Sequence, residues 1–262
     1  MKSSPAIGLV LSGGGTRGLA HVGAWKELQR LGFTPAAIAG CSMGAIIGAM
    51  IAAGKTPEEM EAFVLEQRAT KLLQWPITQL GISNLTKMER TLMTFLGVST
   101  FEELTIPLTI NATNLTSGTV VVYQTGSLWS AIRASIAVPG IFAPYRKSNQ
   151  LLVDGGILHE HPFQLLPATI NQFLLINCSP MERLVKQKLG VIDLLRASLN
   201  IMQNTMLQLR LAERDPNTYY VVEPNVHGRN IFESEKQYRG LMQLGADEIV
   251  QHETDIRSFL QK

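Results

Sequence analysis

Residues 36–54 read AAIAGCSMGAIIGAMIAAG. A short apolar run of strand length ends in Gly40-Cys41-Ser42-Met43-Gly44, and the stretch that follows, to Ala53, carries no polar side chain. Gly-x-Ser-x-Gly is the spacing of a sharp strand-to-helix turn that holds a serine in strained backbone geometry and lifts its hydroxyl above the sheet. The glycines stand two residues either side because a Cβ there would meet neighbouring chain. Gly40, Gly44 and Gly48 recur four apart, and with Ala45, Ala49 and Ala52 they let an all-apolar helix lie close to its neighbours, as a buried central helix must. Gly54 supplies the stop. The pentapeptide alone is equally a glycine-rich turn ahead of a core helix, so the rest of the chain has to decide between them.

A second βα unit precedes it. Ile7 to Leu11 is a continuous apolar run, followed by Ser12-Gly13-Gly14-Gly15-Thr16-Arg17-Gly18 and a helix reaching about Leu31. Gly13, Gly15 and Gly18 fit a dinucleotide fingerprint, but that use needs an acid at the end of the second strand, where Gly40-Cys41-Ser42 stands instead. The same glycines also let successive amides converge at a helix N-terminus, whose partial positive charge favours an anion, including the oxyanion of a tetrahedral intermediate. Both turns then face one site.

Composition narrows the class. The 262 residues show no composition break or linker, which predicts one large α/β domain over residues 1–262. Hydrophobic residues make up 45% and charged residues 17%, with a mean hydropathy of +0.11, so a large core and some lipid-facing surface are both compatible with the chain. A formal charge of +2, without basic stripes, speaks against nucleic acid. The apolar run near the start is too short for a secretion signal and no stretch is long enough to span a bilayer. Cys41 and Cys178 have neither zinc-ligand spacing nor a disulfide framework. A cytoplasmic protein without metal is the expectation, with peripheral membrane contact as the variant that its greasiness suggests.

After Gly54, Thr56-Pro57-Glu58-Glu59 reads as a capping box that opens a helix carrying Met60, Phe63 and Val64. Residues 70–100 sustain neither period and are expected to pack as core or to form a greasy cover over the site. Thr105 to Ala112 and Thr119 to Tyr123 read as a hairpin, and Ser127 as the cap of a helix stopped by Pro139-Gly140. Leu151-Leu152-Val153 is an apolar strand that delivers Asp154-Gly155-Gly156 at its carboxyl end, where open α/β sheets gather catalytic groups. An Asx turn bonding its own backbone is the bland alternative for Asp154. Phe173 to Cys178 is another buried strand. A long helix then runs from Gly190 to Glu213, with apolar residues at Ile192, Leu195, Leu199, Met202, Met206 and Leu209, a stripe expected to be core or a dimer face. Arg183, Lys186 and Lys188 before it read as a solvated face. Tyr219 to Val222 is a last strand, and Lys236 to Leu260 an amphipathic helix or pair.

In their order, Gly13-Gly14-Gly15-Thr16-Arg17-Gly18, Gly40-Cys41-Ser42-Met43-Gly44 and Asp154-Gly155-Gly156 resemble the patatin-like phospholipase family. Ala112-Thr113-Asn114-Leu115, Ala134 to Pro139 and Phe142 also look like that family's intervening segments, so the resemblance covers roughly residues 6–166. Small bacterial members and the catalytic domain of neuropathy target esterase are the nearest in character. The chain has Asn114 where the family often has Asp, and His159 where it often has Asn. The resemblance implies a three-layer α/β/α fold with a mostly parallel sheet, and hydrolysis of lipid acyl esters without metal or organic cofactor. It also implies Ser42 as nucleophile, Asp154 as general base, and an oxyanion loop of Gly13, Gly14 and Gly15 supported by Arg17. Three alternatives stay open: an acyltransferase using the same acyl-enzyme, an α/β-hydrolase with a Ser-Asp-His triad completed by His227, and a non-enzymatic regulator that has kept the fold.

Overall fold

In a computed structural model the described residues are 6–69, 82–181, 190–227 and 234–261. The first two βα units form as their sequence dictates. β1 (Ile7–Leu11) leads through the glycine turn and one 3-10 turn into α1 (Ala20–Arg30), and β2 (Ala37–Gly40) leads through Cys41-Ser42 into α2 (Met43–Ala52). Every residue of α2 is buried, which is why its sequence carries no polar side chain. α3 (Pro57–Ala69) opens on the expected capping box: Thr56 N–H donates to Glu59 Oε2 at 2.8 Å and Glu59 N–H to Thr56 Oγ1 at 3.2 Å.

The irregular reading of residues 70–100 needs correction over its second half. Residues 82–96 form a helix, α4 (Ile82–Leu96), that buries Leu92 and Leu96 and stacks Phe95 on Phe63 of α3 at 4.1 Å between ring centroids. Residues 70–81, the rest of the proposed cover, lie outside the described residues.

The remaining elements are β3 (Leu108–Asn114), β4 (Thr119–Tyr123), α5 (Leu128–Ser135), β5 (Tyr145–Lys147), β6 (Gln150–Asp154) and a one-turn α6 (Gly156–His159). They are followed by β7 (Gln172–Ile176), α7 (Val191–Ala212), β8 (Tyr219–Val222), α8 (Glu235–Gln251) and α9 (Glu253–Leu260). Strands β3, β2, β1, β7 and β8 lie side by side and parallel, and β4, β5 and β6 pair antiparallel in an eight-stranded sheet. Leu9 and Leu11 point to one face of the sheet, where α1 to α5, α8 and α9 bury the main core; Val10 points to the other, with Phe173, Leu175, Phe163 and Leu207 of α7. The result is three layers, α/β/α.

One strand departs from the expected direction. β6 runs antiparallel to β3, so Asp154 is not delivered by the carboxyl-end rule of parallel sheets. β3 is longer than β2: it pairs with β2 at residues 108–110 and with β6 at residues 112–114, while β4 covers 110–114 from the opposite edge. β2 and β6 therefore share one edge of β3, end to end, with their carboxyl ends meeting. Gly40 lies opposite Ile110 and Asp154 opposite Ala112.

Glycines set how close the layers approach. A Cβ on Gly23 of α1 would stand 1.7 Å from Met242 O of α8, and one on Gly245 of α8 would stand 1.9 Å from Ala20 O. The two helices thus cross backbone to backbone. Gly23→Ala is expected to force them apart and destabilise the fold by at least the ~1–3 kcal/mol typical of overpacking, far from the serine. Urea unfolding of the variant, with no loss of stability, would contradict this packing.

Candidate active site

Ser42 is the N-cap of α2, with φ 52° and ψ −119°, a left-sided conformation that a non-glycine residue rarely adopts. The turn is over-determined around it. A Cβ on Gly40 would meet Gly44 O at 2.3 Å, and one on Gly44 would meet Leu11 O at 2.3 Å and Ser12 O at 2.5 Å, so both flanking glycines are steric necessities. Ser42 N–H is held by Ser135 Oγ at 2.9 Å, from the end of α5. Sequence reasoning did not single out Ser135; its role depends on a contact across the sheet that no local pattern announces.

Asp154 is 6% exposed. Its Oδ1 accepts from Gly156 N–H at 2.7 Å, the bond that the Asp-Gly-Gly sequence makes available. Oδ2 is buried without a partner in hydrogen-bonding geometry, although the Ser42 hydroxyl is near enough to favour the charged carboxylate. Burial dominates and pushes the Asp154 carboxyl up to about 6, opposed by Ser42, the Gly156 amide and Cys41 in that order. Asn111, on β3 between the end of β2 and the end of β6, donates its side-chain amide to Gly155 O at 3.2 Å and His159 O at 3.0 Å, fixing the turn that follows the acid.

The glycine turn forms the facing wall. Gly14 has φ 128° and Gly15 φ 59°, and both line one pocket with Thr16, Arg17, Ser42 and Asp154. Gly13 does not: its N–H donates to Glu160 O at 3.3 Å, which takes it from the donors expected from the sequence. Arg17 braces the loop, donating to Gly14 O at 3.4 Å and to Ser179 Oγ at 3.3 Å. Behind the turn, Ser12 Oγ accepts from Cys178 N–H at 2.8 Å, and the buried His21 donates Nε2–H to Ser12 O at 2.9 Å. Burial lowers the His21 pKa to about 4, so it holds the loop as a neutral ring.

Glu160 also lines the pocket and Cys41 lies beside it and Asp154, and local sequence marks neither for this place. Strand alternation suggests that Cys41 points away from Ser42, yet its Sγ lies 3.8 Å from Asp154 Oδ1 and 3.9 Å from Glu160 Oε2. Thiol and carboxyl groups of these three residues lie within 4.8 Å of one another, a set that could in principle hold a metal ion. Burial and the two carboxyl groups push the Cys41 thiol well above its usual value.

The pocket is closed by α7, whose apolar stripe is not core but lies exposed, as the dimer-face expectation allows. Leu195, Met202 and Leu209 of the apolar stripe face outward, with Leu195 and Met202 60% and 59% exposed, and Leu199 and Met206 are half-buried. The helix packs through Leu207, buried with Val10, Phe163, Phe173 and Leu175, and through amides: Asn204 donates to Ser179 O at 2.9 Å, Asn200 to Ser179 O at 3.1 Å and Gln203 to Gly156 O at 2.9 Å. Leu199, Asn200 and Gln203 line the pocket.

No histidine lines it among the described residues. His227 is an exposed turn residue beyond β8, His159 contacts Arg210 at 3.1 Å, and the buried His161 bonds Asn177 at 3.0 Å. His227, the residue expected to complete a triad, is thus not among the residues that line the pocket.

Comparison with known proteins gives the family. A family model described as patatin-like phospholipase matches residues 9–167. An uncharacterized NTE family protein of Mycobacterium tuberculosis is 43% identical over 162 residues, 61% of this chain and 45% of the relative. Lysophospholipase NTE1 of Cryptococcus neoformans is 32% identical over 168 residues, 61% of this chain and 10% of that protein. The chain thus spans less than half the length of these curated relatives. Among solved structures, VipD from Legionella pneumophila superposes with a TM-score of 0.55 at 15% identity, covering 94% of this chain and 66% of that one, a likeness of fold alone. The match spans both glycine-flanked turns and the strand that ends in Asp154, and the chain belongs to the patatin-like phospholipase family.

Proposed function

We propose that this chain is a serine acyl hydrolase that cleaves carboxylic ester bonds of lipids, phospholipase- or lysophospholipase-like, through an acyl-enzyme on Ser42 with Asp154 as its base. The observation that carries the reading is the shared edge of β3, which brings a strained serine and a buried, high-pKa carboxyl together in one pocket beside a glycine turn. Ser42 Oγ attacks the ester carbonyl as its proton passes to Asp154. Amides of Gly14 and Gly15 stabilise the oxyanion, aided by the N-terminus of α2 and with Arg17 bracing the loop. Asp154 returns the proton to the leaving alcohol, then takes one from the water that attacks the acyl-enzyme and gives it to Ser42 Oγ as the acid leaves. The family and the name of the fungal relative support a lipid ester as substrate.

A fluorophosphonate probe is expected to label Ser42, and Ser42→Ala to abolish labelling and turnover; label mapped to Ser12 or Cys41 would refute the nucleophile. Asp154→Asn should lower kcat about 100-fold to 10,000-fold, whereas His159→Ala and His227→Ala stay within about tenfold. Turnover should rise with pH through about 6, as the carboxylate form becomes populated. Stability runs the other way. The folded chain holds this proton to about 6 while the unfolded chain releases it near the ordinary value of 3.8, so the folded state binds more protons between them and loses stability as pH rises. Asp154→Asn is therefore expected to melt no lower than wild type at neutral pH, and a marked drop in Tm would show the carboxylate to be structural.

The loop assignment separates by kinetics. Gly14→Pro removes one amide donor and should depress kcat about 100-fold to 1,000-fold with little change in KM. Gly14 lies at φ 128°, which proline cannot reach, so circular dichroism and Tm must confirm the fold first. A folded variant altered only in KM would make the loop a substrate-binding element.

The outward stripe of α7 supports peripheral contact with a lipid surface, because the same helix supplies pocket residues and carries Val191, Leu194, Leu195, Ile201, Met202 and Leu209 exposed. Leu195→Glu with Met202→Glu should weaken sedimentation with phosphatidylcholine vesicles several-fold while sparing hydrolysis of a soluble p-nitrophenyl ester. Equal vesicle binding by both proteins would remove the stripe from that role.

A further inference from the structure

Glu160 lines the pocket, and the chemistry above gives it no part. It is 6% exposed, and the chain makes room for its carboxyl with two bare Cα atoms. A Cβ on Gly13 would stand 2.6 Å from Oε1, and one on Gly156 would stand 2.1 Å from Oε2. Its backbone carbonyl is the acceptor of Gly13 N–H. The side chain therefore lies directly behind the glycine turn and beside the Asp154 loop.

Each packed element presents a definite group to it. Asp154 comes from β6, Cys41 from the end of β2, Arg17 from the glycine turn, Ser179 from the segment after β7, and Gln203 from α7 at 3.5 Å. Cys178, also after β7, feels its charge. Arg17 is the cation that acts on it, and Arg196 lines the same pocket. Against that pull stand burial and Asp154, whose carboxyl shares the same Cys41 thiol at 3.8 Å. Two carboxyl groups in one water-poor floor resist double ionisation, so the pair keeps one proton after losing the first. Asp154 accepts Gly156 N–H at 2.7 Å and is favoured by Ser42, whereas Glu160 has Gln203 at 3.5 Å, and burial and the Asp154 charge outweigh the pull of Arg17, Cys41 and Ser179; Glu160 is left with the proton, its carboxyl pushed up to about 8.

We propose that Glu160 is a positioning residue that works as a neutral acid: it keeps its proton while Asp154 is ionised, and its ionisation silences the site on the alkaline side. Loss of that proton to solvent places a second negative charge under the turn whose amides must receive an oxyanion, and this opposes the transition state. The inference rests on the Ser42–Asp154 reading, and its test separates the two.

The rate of fluorophosphonate labelling should be bell-shaped in pH, rising near about 6 and falling near about 8. Glu160→Gln, which keeps the shape and a donor group, should retain the rising limb and lose the falling one; a merely structural glutamate would leave the profile unmoved. Wild-type protein and Ser42→Ala protein carrying carboxyl-13C glutamate should each show one glutamate carbon that titrates near about 8, a readout that needs neither turnover nor the Glu160 variant. Titration of every glutamate in the ordinary carboxylate range, or a falling limb that survives Glu160→Gln, overturns the proposal. A high-titrating carbon in a protein never labelled at Ser42 would support the protonated Glu160 and count instead against the nucleophile.

Discussion

The length of β3 is the constraint on which the site depends. β2 stops opposite Ile110 and β6 stops opposite Ala112, on the same edge and pointing at each other. The residues that overrun these ends are Cys41 and Ser42 on one side and the Asp154 turn on the other. Asn111 occupies the gap in register and uses its side chain to hold the carbonyls of Gly155 and His159. Backbone pairing thus fixes the relative position of hydroxyl and carboxyl. A slip of β6 by one residue would turn Asp154 to the opposite face of the sheet.

Under the proposed Ser42–Asp154 chemistry, burial makes the geometry useful. A carboxylate near its reference value is a weak base towards a serine hydroxyl, and withdrawal from water raises it towards the working pH. The same withdrawal works against folding, since an ionised buried acid is stabilised only by the Gly156 amide and its near neighbours. The strained φ of Ser42 belongs to the same account: the cost is carried by Gly40, Gly44 and the Ser135 bond, which leave the turn no alternative conformation.

Features written in local sequence were legible before the structure. Gly-x-Ser-x-Gly implies a turn because two Cβ atoms cannot be accommodated, the capping box implies a helix start, and an all-apolar decapeptide implies a buried helix. Features decided by distant partners were not. The direction of β6 depends on which strand it pairs with, and its apolar pattern is the same either way. Gly13 lost its place as a donor because Glu160, far along the chain, takes its amide. Cys41 came to touch Asp154 because the two strand ends converge. On α7 the hydrophobic period allows core or a dimer face, and core is ruled out because amide side chains at Asn200, Gln203 and Asn204 found backbone carbonyls to bond. Periodicity reports that a helix has two faces; it does not report which face the rest of the protein has prepared to receive.

That attachment separates two tasks within one helix. Apolar packing is tolerant of side-chain exchange but ties every exchange to core volume, whereas α7 is indexed to Ser179 O, Pro180 O and Gly156 O by directional amide bonds. Its inner face must stay fixed to preserve those bonds and the pocket wall. Its outer face answers to no interior at all. Residues there can be exchanged one by one without repacking the domain, so the affinity of the exterior can drift while the chemistry beneath it stays constant.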